Sequence, residues 1–278
     1  MTEADGPSIT PAMLGLLTDY LALFAAIGVV AYLLPASLFQ LLSRVLPPGT
    51  RIQSRPLRPG QVRREVLLSL RAVAIFAFYG LGLLAAYRAG WTALDTDWSA
   101  WPWWWPAVGF LFAILLHDTW FYWIHRAMHH RGVFGWMHAQ HHRSVTPTPW
   151  SILAFDVLET IPQFGVFVVL VMVMPMHPAV LWAYLLFDSM VNAAGHCGHE
   201  IIPESQRTHW LLRYTNAVTH HDLHHSRFDC NYAQYFNVWD RLCGTFRDRE
   251  APAARPDGDL WPGRRTGAMA APPTADRG

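Results

Sequence analysis

Long apolar stretches alternate with polar and arginine-rich segments along this chain. The first, Leu14 to Leu34, is long enough for a helix to cross a hydrocarbon core, which takes about 20 residues. Two similar stretches follow, Val66 to Tyr87 and Ala107 to Trp123. A pair of stretches separated by a short proline-containing turn, Ile152 to Met174 and Pro178 to Ala194, predicts two more crossings. The pattern therefore predicts an all-α integral membrane bundle of about four to five spans.

The last two predicted spans are the least regular. Pro162 and Pro175 interrupt them, and Asp156, Glu159 and Asp188 place carboxylates in otherwise apolar sequence. Such a hairpin can enter the bilayer without crossing it fully, because irregular backbone is tolerated where protein covers it. Both arrangements stay open. After the first span, residues 36–49 form an amphipathic segment that we expect to lie along the membrane interface.

Charge orients the predicted spans. The loop between the first two is rich in arginine, which places it in the cytoplasm by the positive-inside rule. Tryptophans cluster after the second span, at Trp98, Trp101 and 103–105, as in an interfacial belt on the outer side. Five crossings then leave every histidine cluster on the cytosolic face. We expect an integral protein of a bacterial inner membrane whose histidine-rich cap of helices lies in the cytosol.

Composition agrees with membrane embedding. The chain is 52% hydrophobic and 15% charged, with 14 tryptophans among 278 residues. A net charge of +1 and the lack of a long basic face exclude a nucleic-acid role. Three parts are predicted: membrane spans and the basic loop at 1–105, a histidine-rich catalytic domain at 106–249, and a disordered tail at 250–278 that is rich in proline, alanine and glycine.

The candidate chemistry is carried by histidines, seven of which lie between His117 and His142. His-x-x-x-His and His-x-x-His-His spacings return side chains to one helix face, so the first two clusters predict five imidazoles directed at one place. Two clusters downstream repeat the pattern. The candidate ligands are His125, His129, His138, His141, His142, His196, His199, His221, His224 and His225. Because a structural zinc takes four ligands and a catalytic one usually three, this set predicts two metal ions.

Three other residues share these helix faces. Asp118 and Tyr122 precede His125 at helical spacing, and Asn192 stands four residues before His196. We predict catalytic roles for all three. The nearest carboxylates, Asp118 with Glu200 and Asp222, are expected to orient histidine rings by accepting hydrogen bonds from them.

The order of these clusters resembles the fatty acid hydroxylase and sterol desaturase superfamily of membrane di-iron oxygenases. The similar segments are HDTWFYWIHRAMHH, HHRSVTPTPW, GHCGHE and THHDLHHSRFDCNYAQYFNVWDRLCGT, within residues 110 to 248. Asp156 stands where relatives often have histidine, and Ala233 replaces a commoner glycine. The resemblance places iron ligands on nine of the ten candidates and leaves open whether His199, or a water held by Asn192, completes the set.

The resemblance implies an enzyme that holds two iron ions and uses O2 to hydroxylate or desaturate a membrane lipid, either sterol-like or fatty-acyl. Whether a hydroxyl or a double bond results stays open. Electrons are expected from NAD(P)H through a separate ferredoxin-type or cytochrome-type protein, because no dinucleotide or haem-attachment motif is visible. Arg131, Arg143 and Arg227 are candidates for binding that acidic partner.

Two other functions are weighed against this one. A zinc-dependent membrane hydrolase would need a glutamate general base beside its histidines, as in His-Glu-x-x-His, whereas the chain offers only HCGHE at 196–200. A metal-binding transporter would place polar ligands inside the spans, whereas these clusters lie at one end of them.

Overall fold

The computed structural model describes residues 10–248, so the predicted disordered tail lies outside the described residues. Residues 10–248 form helices and connecting turns, with three isolated β-bridges and no strand. The helices are α1 (Pro11–Ile27), α2 (Leu34–Val45), α3 (Gln61–Arg88), α4 (Trp105–Met128), α5 (Phe134–Met137), α6 (Ala139–His142), α7 (Thr160–Val173), α8 (Pro178–Gly195), α9 (Glu204–Arg207), α10 (Val218–Arg227) and α11 (Val238–Leu242). The predicted all-helical class is confirmed.

The first helix begins with a cap and does not stop where the apolar stretch ends. The Thr10 hydroxyl accepts a hydrogen bond from the Met13 amide, and Pro11 occupies the first turn. A π-helical segment, Gly28–Leu33, then joins α1 to α2 without a break. The wider turn accommodates Pro35, which cannot donate a backbone hydrogen bond. The amphipathic segment therefore continues the first helix for part of its length instead of forming a separate interfacial element.

Three helical segments are long and apolar enough to cross a membrane, among the residues described: Pro11–Val45, α3 and α4. The first two pack against each other along α1 and α3. The third predicted span extends further than expected, since α4 continues to Met128 and so carries His125 on its last turn.

The predicted fourth span is wrong in its extent. Helix α7 has 14 residues and begins at Thr160, whereas the apolar stretch begins at Ile152. At 1.5 Å per residue it is about 21 Å long, short of the roughly 30 Å hydrocarbon core. The residues from Ile152 to Glu159 are not part of this helix, and two of their carboxylates bind the second histidine cluster: Asp156 accepts from the Gln140 amide, and Glu159 binds His138. Helix α8 matches its predicted bounds within one residue.

The described residues form three core clusters. The first lies where α1, the π segment and α3 meet the turn at 150–155, and the second where α4, α7 and α8 pack together. The third and smallest contains Tyr122, Tyr232 and Ala233. Helix α10 packs against α8 at its histidine-bearing end. The short helices α5, α6, α9, α10 and α11 form a cap over the end of the bundle. The bundle thus holds the ends of α4 and α8 against the cap.

Candidate metal centre

Helix ends bring the histidines of the first and third clusters into place. His125 lies on the last turn of α4, and His129 is the residue that ends it. His196 likewise ends α8. The ends of both helices meet the cap, so their imidazoles reach residues that are distant in sequence.

The second cluster does not form one continuous helix. His138 has φ −140°, which separates α5 from α6, and α6 contains only four residues. The side chains of His138, His141 and His142 are all buried. Because of this break, the side chain of His138 does not point in the direction that a continuous helix would give it.

Nine buried or half-buried histidines form two groups. Within each group, one nitrogen of every ring lies within 4.8 Å of the others. Group A contains His125, His129, His138, His142 and His224, and group B contains His141, His196, His221 and His225. The number of groups matches the two ions that the sequence predicts.

The prediction that the first five histidines point at one place is wrong for one of them. His141 belongs to group B, whereas the adjacent His142 belongs to group A. The later motif divides in the same way, with His224 in group A and His225 in group B. Consecutive residues of a helix point about 100° apart, so each His-His pair faces two directions. Each pair therefore links the two groups.

Backbone carbonyls fix two rings of group A. The Nδ1 of His125 lies 2.8 Å from the Tyr232 carbonyl oxygen, and that of His224 lies 2.7 Å from the Cys230 carbonyl oxygen. Because a carbonyl oxygen only accepts, each Nδ1 carries the proton, and each neutral ring presents an Nε2 lone pair inward. The Nε2 of His125 is 3.0 Å from that of His138.

A carboxylate fixes His138 in the same orientation. The Nδ1 of His138 lies 2.7 Å from Oε1 of Glu159, which is fully buried. With Nδ1–H donated to Glu159, the Nε2 lone pair of His138 faces the Nε2 lone pair of His125. Two lone pairs at hydrogen-bond distance repel each other unless a cation lies between or beside them, so the donor set fits a metal ion.

Group B shows the same arrangement. The Ser151 hydroxyl donates to the Thr148 carbonyl oxygen and so accepts from Nδ1–H of His196, 3.2 Å away. The Nδ1 of His225 donates to the Ser144 carbonyl oxygen at 3.1 Å.

His221 faces both of those rings. Its Nε2 lies 2.6 Å from Nε2 of His196 and 3.1 Å from Nε2 of His225. One proton on His221 cannot satisfy two lone pairs at once, whereas a metal ion would accept all three.

Several buried ring nitrogens have no hydrogen-bond partner among the described residues. They are both nitrogens of His129 and the Nδ1 atoms of His141 and His142. Burial also lowers the pKa of His221 to about 3 and the pKa values of His138 and His224 well below the ordinary range. The rings are therefore neutral near pH 7, which is the state that binds a metal.

His199, the tenth candidate, lies outside both groups in the described part of the chain. Helix α8 has already ended, and Gly198 adopts a left-handed conformation with φ +74° that turns the chain away. The Nδ1 of His199 lies 2.9 Å from the Thr50 hydroxyl. The helical spacing that predicted this ligand is broken by the glycine.

The three predicted catalytic residues have different surroundings. Asp118 accepts from the Tyr235 and Phe236 amides, at 2.7 and 3.1 Å, rather than from a histidine ring. Tyr122 is fully buried and lies 3.1 Å from the Thr245 hydroxyl. Asn192 alone among the three lines a cavity.

The prediction that Glu200 and Asp222 orient histidine rings is wrong. Asp222 binds the Gln53 side-chain amide, and Glu200 binds the Thr219 amide and hydroxyl. Neither one binds a histidine ring in the described chain. Among the described residues, Glu159 is the carboxylate that binds a ring of the two groups. The sequence analysis did not predict this role, although an acidic residue in an apolar hairpin is a signal of function.

An apolar cavity of ≈ 290 Å³ lies between α1, α3, α4, α7 and α8. Phe121 and Phe155 line its inner end, and their rings contact His125 and His141, with centroids 4.8 and 5.7 Å apart. The cavity thus reaches both groups through single aromatic side chains.

Comparison with known proteins decides the family. The fatty acid hydroxylase model matches residues 110–245. A Delta(7)-sterol 5(6)-desaturase from Aspergillus fumigatus is 30% identical over 239 residues, which cover 78% of this chain and 73% of the relative. The chain belongs to the fatty acid hydroxylase family. The family resemblance predicted from the histidine motifs is confirmed.

Two other relatives of this family member are also sterol enzymes by name. A Delta(7)-sterol 5(6)-desaturase from Gibberella zeae is 30% identical over 67% of this chain and 56% of its own length. Lathosterol oxidase from Homo sapiens is 29% identical over 68% of this chain and 62% of its own length. The chain thus spans less than two thirds of these two relatives. No solved structure matches the chain.

Proposed function

We propose that this fatty acid hydroxylase family member is an O2-dependent di-iron enzyme that hydroxylates or desaturates a membrane lipid. The observation that carries the proposal is the position of two buried imidazole groups at the inner end of an apolar cavity. Imidazole suits iron, and oxidation of an unactivated C–H bond needs a site that is closed to water.

The chain's own residues would hold two ions through the nine Nε2 or Nδ1 atoms of groups A and B. Iron bound there would supply the redox chemistry with O2. The Tyr232, Cys230 and Ser144 carbonyls keep the rings in one tautomer, and Glu159 does the same for His138. This orientation is set before a metal binds, because every acceptor is part of the fold.

The cavity would hold the lipid and exclude water. It extends along α8 from Pro178 to Asn192, which is 14 residues or about 21 Å at 1.5 Å per residue. Its walls are mainly Leu, Phe, Ile and Val side chains, with polar side chains such as Asn192 and Ser189 near the metal end. An elongated, weakly polar lipid fits these surroundings.

A sterol-like lipid is the substrate class that we favour over an acyl chain. The relatives reported above are named for sterol oxidation. The polar side chains at the metal end also suit a lipid with a polar group near the carbon that reacts. Lathosterol is therefore the first lipid to test.

Electrons would come from NAD(P)H through a separate acidic carrier of the ferredoxin or cytochrome type. Arg131 and Arg143 are exposed and lie within two residues of His129 and His142. Arg227 is half-buried, two residues after His225. Replacing all three with alanine should raise the concentration of carrier needed for half-maximal turnover. An unchanged carrier requirement would exclude this docking surface.

We also infer that the metal centre faces the cytosol. The arginine-rich loop before α3 contacts the metal end, since the Ile52 amide donates to the Gly198 carbonyl oxygen at 3.0 Å. Positive loops stay on the cytosolic side. The relatives reported above come from fungi and a mammal, so they lend no support to a bacterial inner membrane.

The deciding experiment measures metal per chain after expression with both iron and zinc available. We expect about two irons, as the two groups imply, with a loss of both when His141 or His224 becomes alanine, because each adjoins the other group. Lathosterol should then be oxidised only when O2 and a reductant are present. One zinc per chain that is insensitive to His224→Ala, or product without O2, would overturn the proposal.

A further inference from the structure

Several polar residues that precede the matched family region contact one loop beside group B. This loop, residues 144–151, contains Pro147 and Pro149 and is here called the proline loop. It supplies two of the groups that fix histidine rings: the Ser144 carbonyl for His225 and the Ser151 hydroxyl for His196. The conformation of the proline loop therefore sets the positions of two group B rings.

Glu65, on the second turn of α3, holds both halves of the proline loop. Its Oε1 accepts from the Ser144 hydroxyl at 2.6 Å, and its Oε2 accepts from the Thr148 hydroxyl at 2.5 Å. Gln61 adds a contact on the same side, donating through Nε2 to Glu65 and to the Thr146 carbonyl oxygen, both at 2.8 Å. Glu65 is completely buried.

Other residues before the matched region bind the same loop. Gln53 donates to the Pro147 carbonyl oxygen at 3.0 Å, and the Ser69 and Tyr32 hydroxyls donate to the Trp150 carbonyl oxygen at 3.0 and 3.2 Å. A loop of this kind has backbone carbonyls that must be paired when buried. Here they are paired by the N-terminal part of the chain.

We propose that Glu65 is a positioning residue for the group B ion, acting through Ser144 and Thr148 on His225 and His196. A buried carboxylate that bridges two hydroxyls fixes the separation of residues 144 and 148, and Ser151 follows because its hydroxyl donates to the Thr148 carbonyl at 2.7 Å. The role rests on the proposed two-ion centre, but it concerns the positions of imidazoles and applies to whichever metal binds.

Three of the five rings of group A are held by groups outside this loop. His125, His224 and His138 are fixed by Tyr232, Cys230 and Glu159, which Glu65 does not contact in the described chain. Loss of Glu65 should therefore weaken metal binding at group B more than at group A. This selectivity separates a positioning role from a general role in stability.

The test follows metal release from detergent-purified, metal-loaded full-length protein into excess chelator. Each group is expected to release its ion in a separate kinetic phase. Ser151→Ala removes the acceptor for His196 and so identifies the group B phase as the one that it accelerates. Glu159→Ala identifies the group A phase in the same way. Glu65→Ala should accelerate the group B phase about tenfold. This factor is the low end of the loss in metal affinity that follows removal of a group supporting a ligand. Glu65→Gln should largely restore slow release, since an amide can bond to both hydroxyls.

Asp19→Asn is the matched control. Asp19 also joins two helices through a carboxylate, by its ion pair with Arg88 on α3, but at the opposite end of the bundle. Its release kinetics should equal those of the unsubstituted protein. If Glu65→Ala does not fold, Thr148→Val removes one of the two bonds and should accelerate the same phase.

Unchanged release in Glu65→Ala, or equal acceleration of both phases, overturns the positioning role. For a Glu65→Ala protein that does not fold, unchanged release in Thr148→Val does so. The assay can be run with Zn²⁺ as well as Fe²⁺. A protein that binds two zinc ions and no iron would thus refute the proposed oxygenase and still decide the role of Glu65.

Discussion

At the scale of single residues, hydrogen bonds behind the histidines decide what the rings can do. Each of His125, His224 and His225 donates Nδ1–H to a backbone carbonyl, which leaves Nε2 free to bind a metal. A carbonyl cannot be exchanged by mutation, so these rings depend on the local fold. His138 differs because its acceptor is a side chain, Glu159.

Glu159→Ala should therefore impair group A specifically. The substitution leaves the buried Nδ1–H of His138 without an acceptor, so the Nε2-protonated tautomer is no longer disfavoured. We expect metal affinity at group A to fall about 10- to 100-fold, as is typical when a ligand loses such a partner. Chelator competition on the purified protein measures it. Asp229→Asn, at an exposed position, serves as the control and should keep the affinity of the unsubstituted protein. An unchanged affinity at group A in Glu159→Ala would contradict the role of Glu159.

Burial also predicts how the metal-free protein responds to pH. The pKa of His221 is lowered to about 3 by burial, while an unfolded histidine has a pKa near 6.5. Below pH 6.5 the unfolded chain thus binds protons that the folded chain does not. Stability is fully present above about pH 6.5 and is lost as the pH falls from there towards 3.

Other buried histidines of the two groups act in the same direction, because burial lowers the pKa values of His142 and His225 well below the ordinary range. The Tm of chelator-treated protein in detergent should consequently drop steeply between pH 7 and pH 5. Bound metal should reduce this dependence by keeping the rings unprotonated. A Tm that does not change over this range would show that the rings are hydrated in the metal-free state.

At the scale of elements, the sequence predicted the long helices better than their ends. Helices α3 and α4 follow the apolar stretches because lipid-facing helices need such composition along most of their length. The position of His199 could not be predicted from spacing, since His199 continues the helical pattern after His196 although α8 ends at Gly195. Gly198, with a left-handed φ of +74°, turns the chain between these two histidines.

Gly198→Ala tests how tightly this turn is held. An alanine Cβ there would lie 2.5 Å from Oε1 of Gln53, whereas the same substitution at Gly60, with φ +72°, meets nothing within 4 Å. Gly60→Ala should cost only the left-handed strain, about 1–2 kcal/mol. Gly198→Ala should cost more, because Gln53 also binds Pro147 and Asp222. Equal Tm losses for the two variants would contradict this account.

At the scale of the whole molecule, the histidine motifs predicted the family and the nine histidines that lie together, but not how these histidines divide between two groups. That division depends on the break at His138 and on which way each half of a His-His pair faces. The supporting Glu65 was also missed, because it lies outside the motifs, in the N-terminal region. Contacts between distant segments leave no periodic signal in one sequence.

The cavity is lined by the N-terminal helices as well as by helices of the matched family region. Ile27 and Ala31 line it from the first helical segment, Phe76 from α3 and Leu185 from α8. A lipid held there would contact both the predicted membrane part and the predicted catalytic part of the chain. The two parts should thus be treated as one binding unit.

Leu185→Trp tests that binding unit without touching a candidate ligand. The larger side chain would occupy the cavity, so lathosterol should no longer raise the Tm of the protein in detergent, since a ligand stabilises only a native state that binds it. Leu41→Trp is the control, because Leu41 is 58% exposed and does not line the cavity. Both variants should keep about two metal ions, as the two histidine groups are intact. Retained stabilisation by lathosterol in Leu185→Trp would place the lipid elsewhere, whereas loss of metal would show that the cavity and the centre are mechanically coupled.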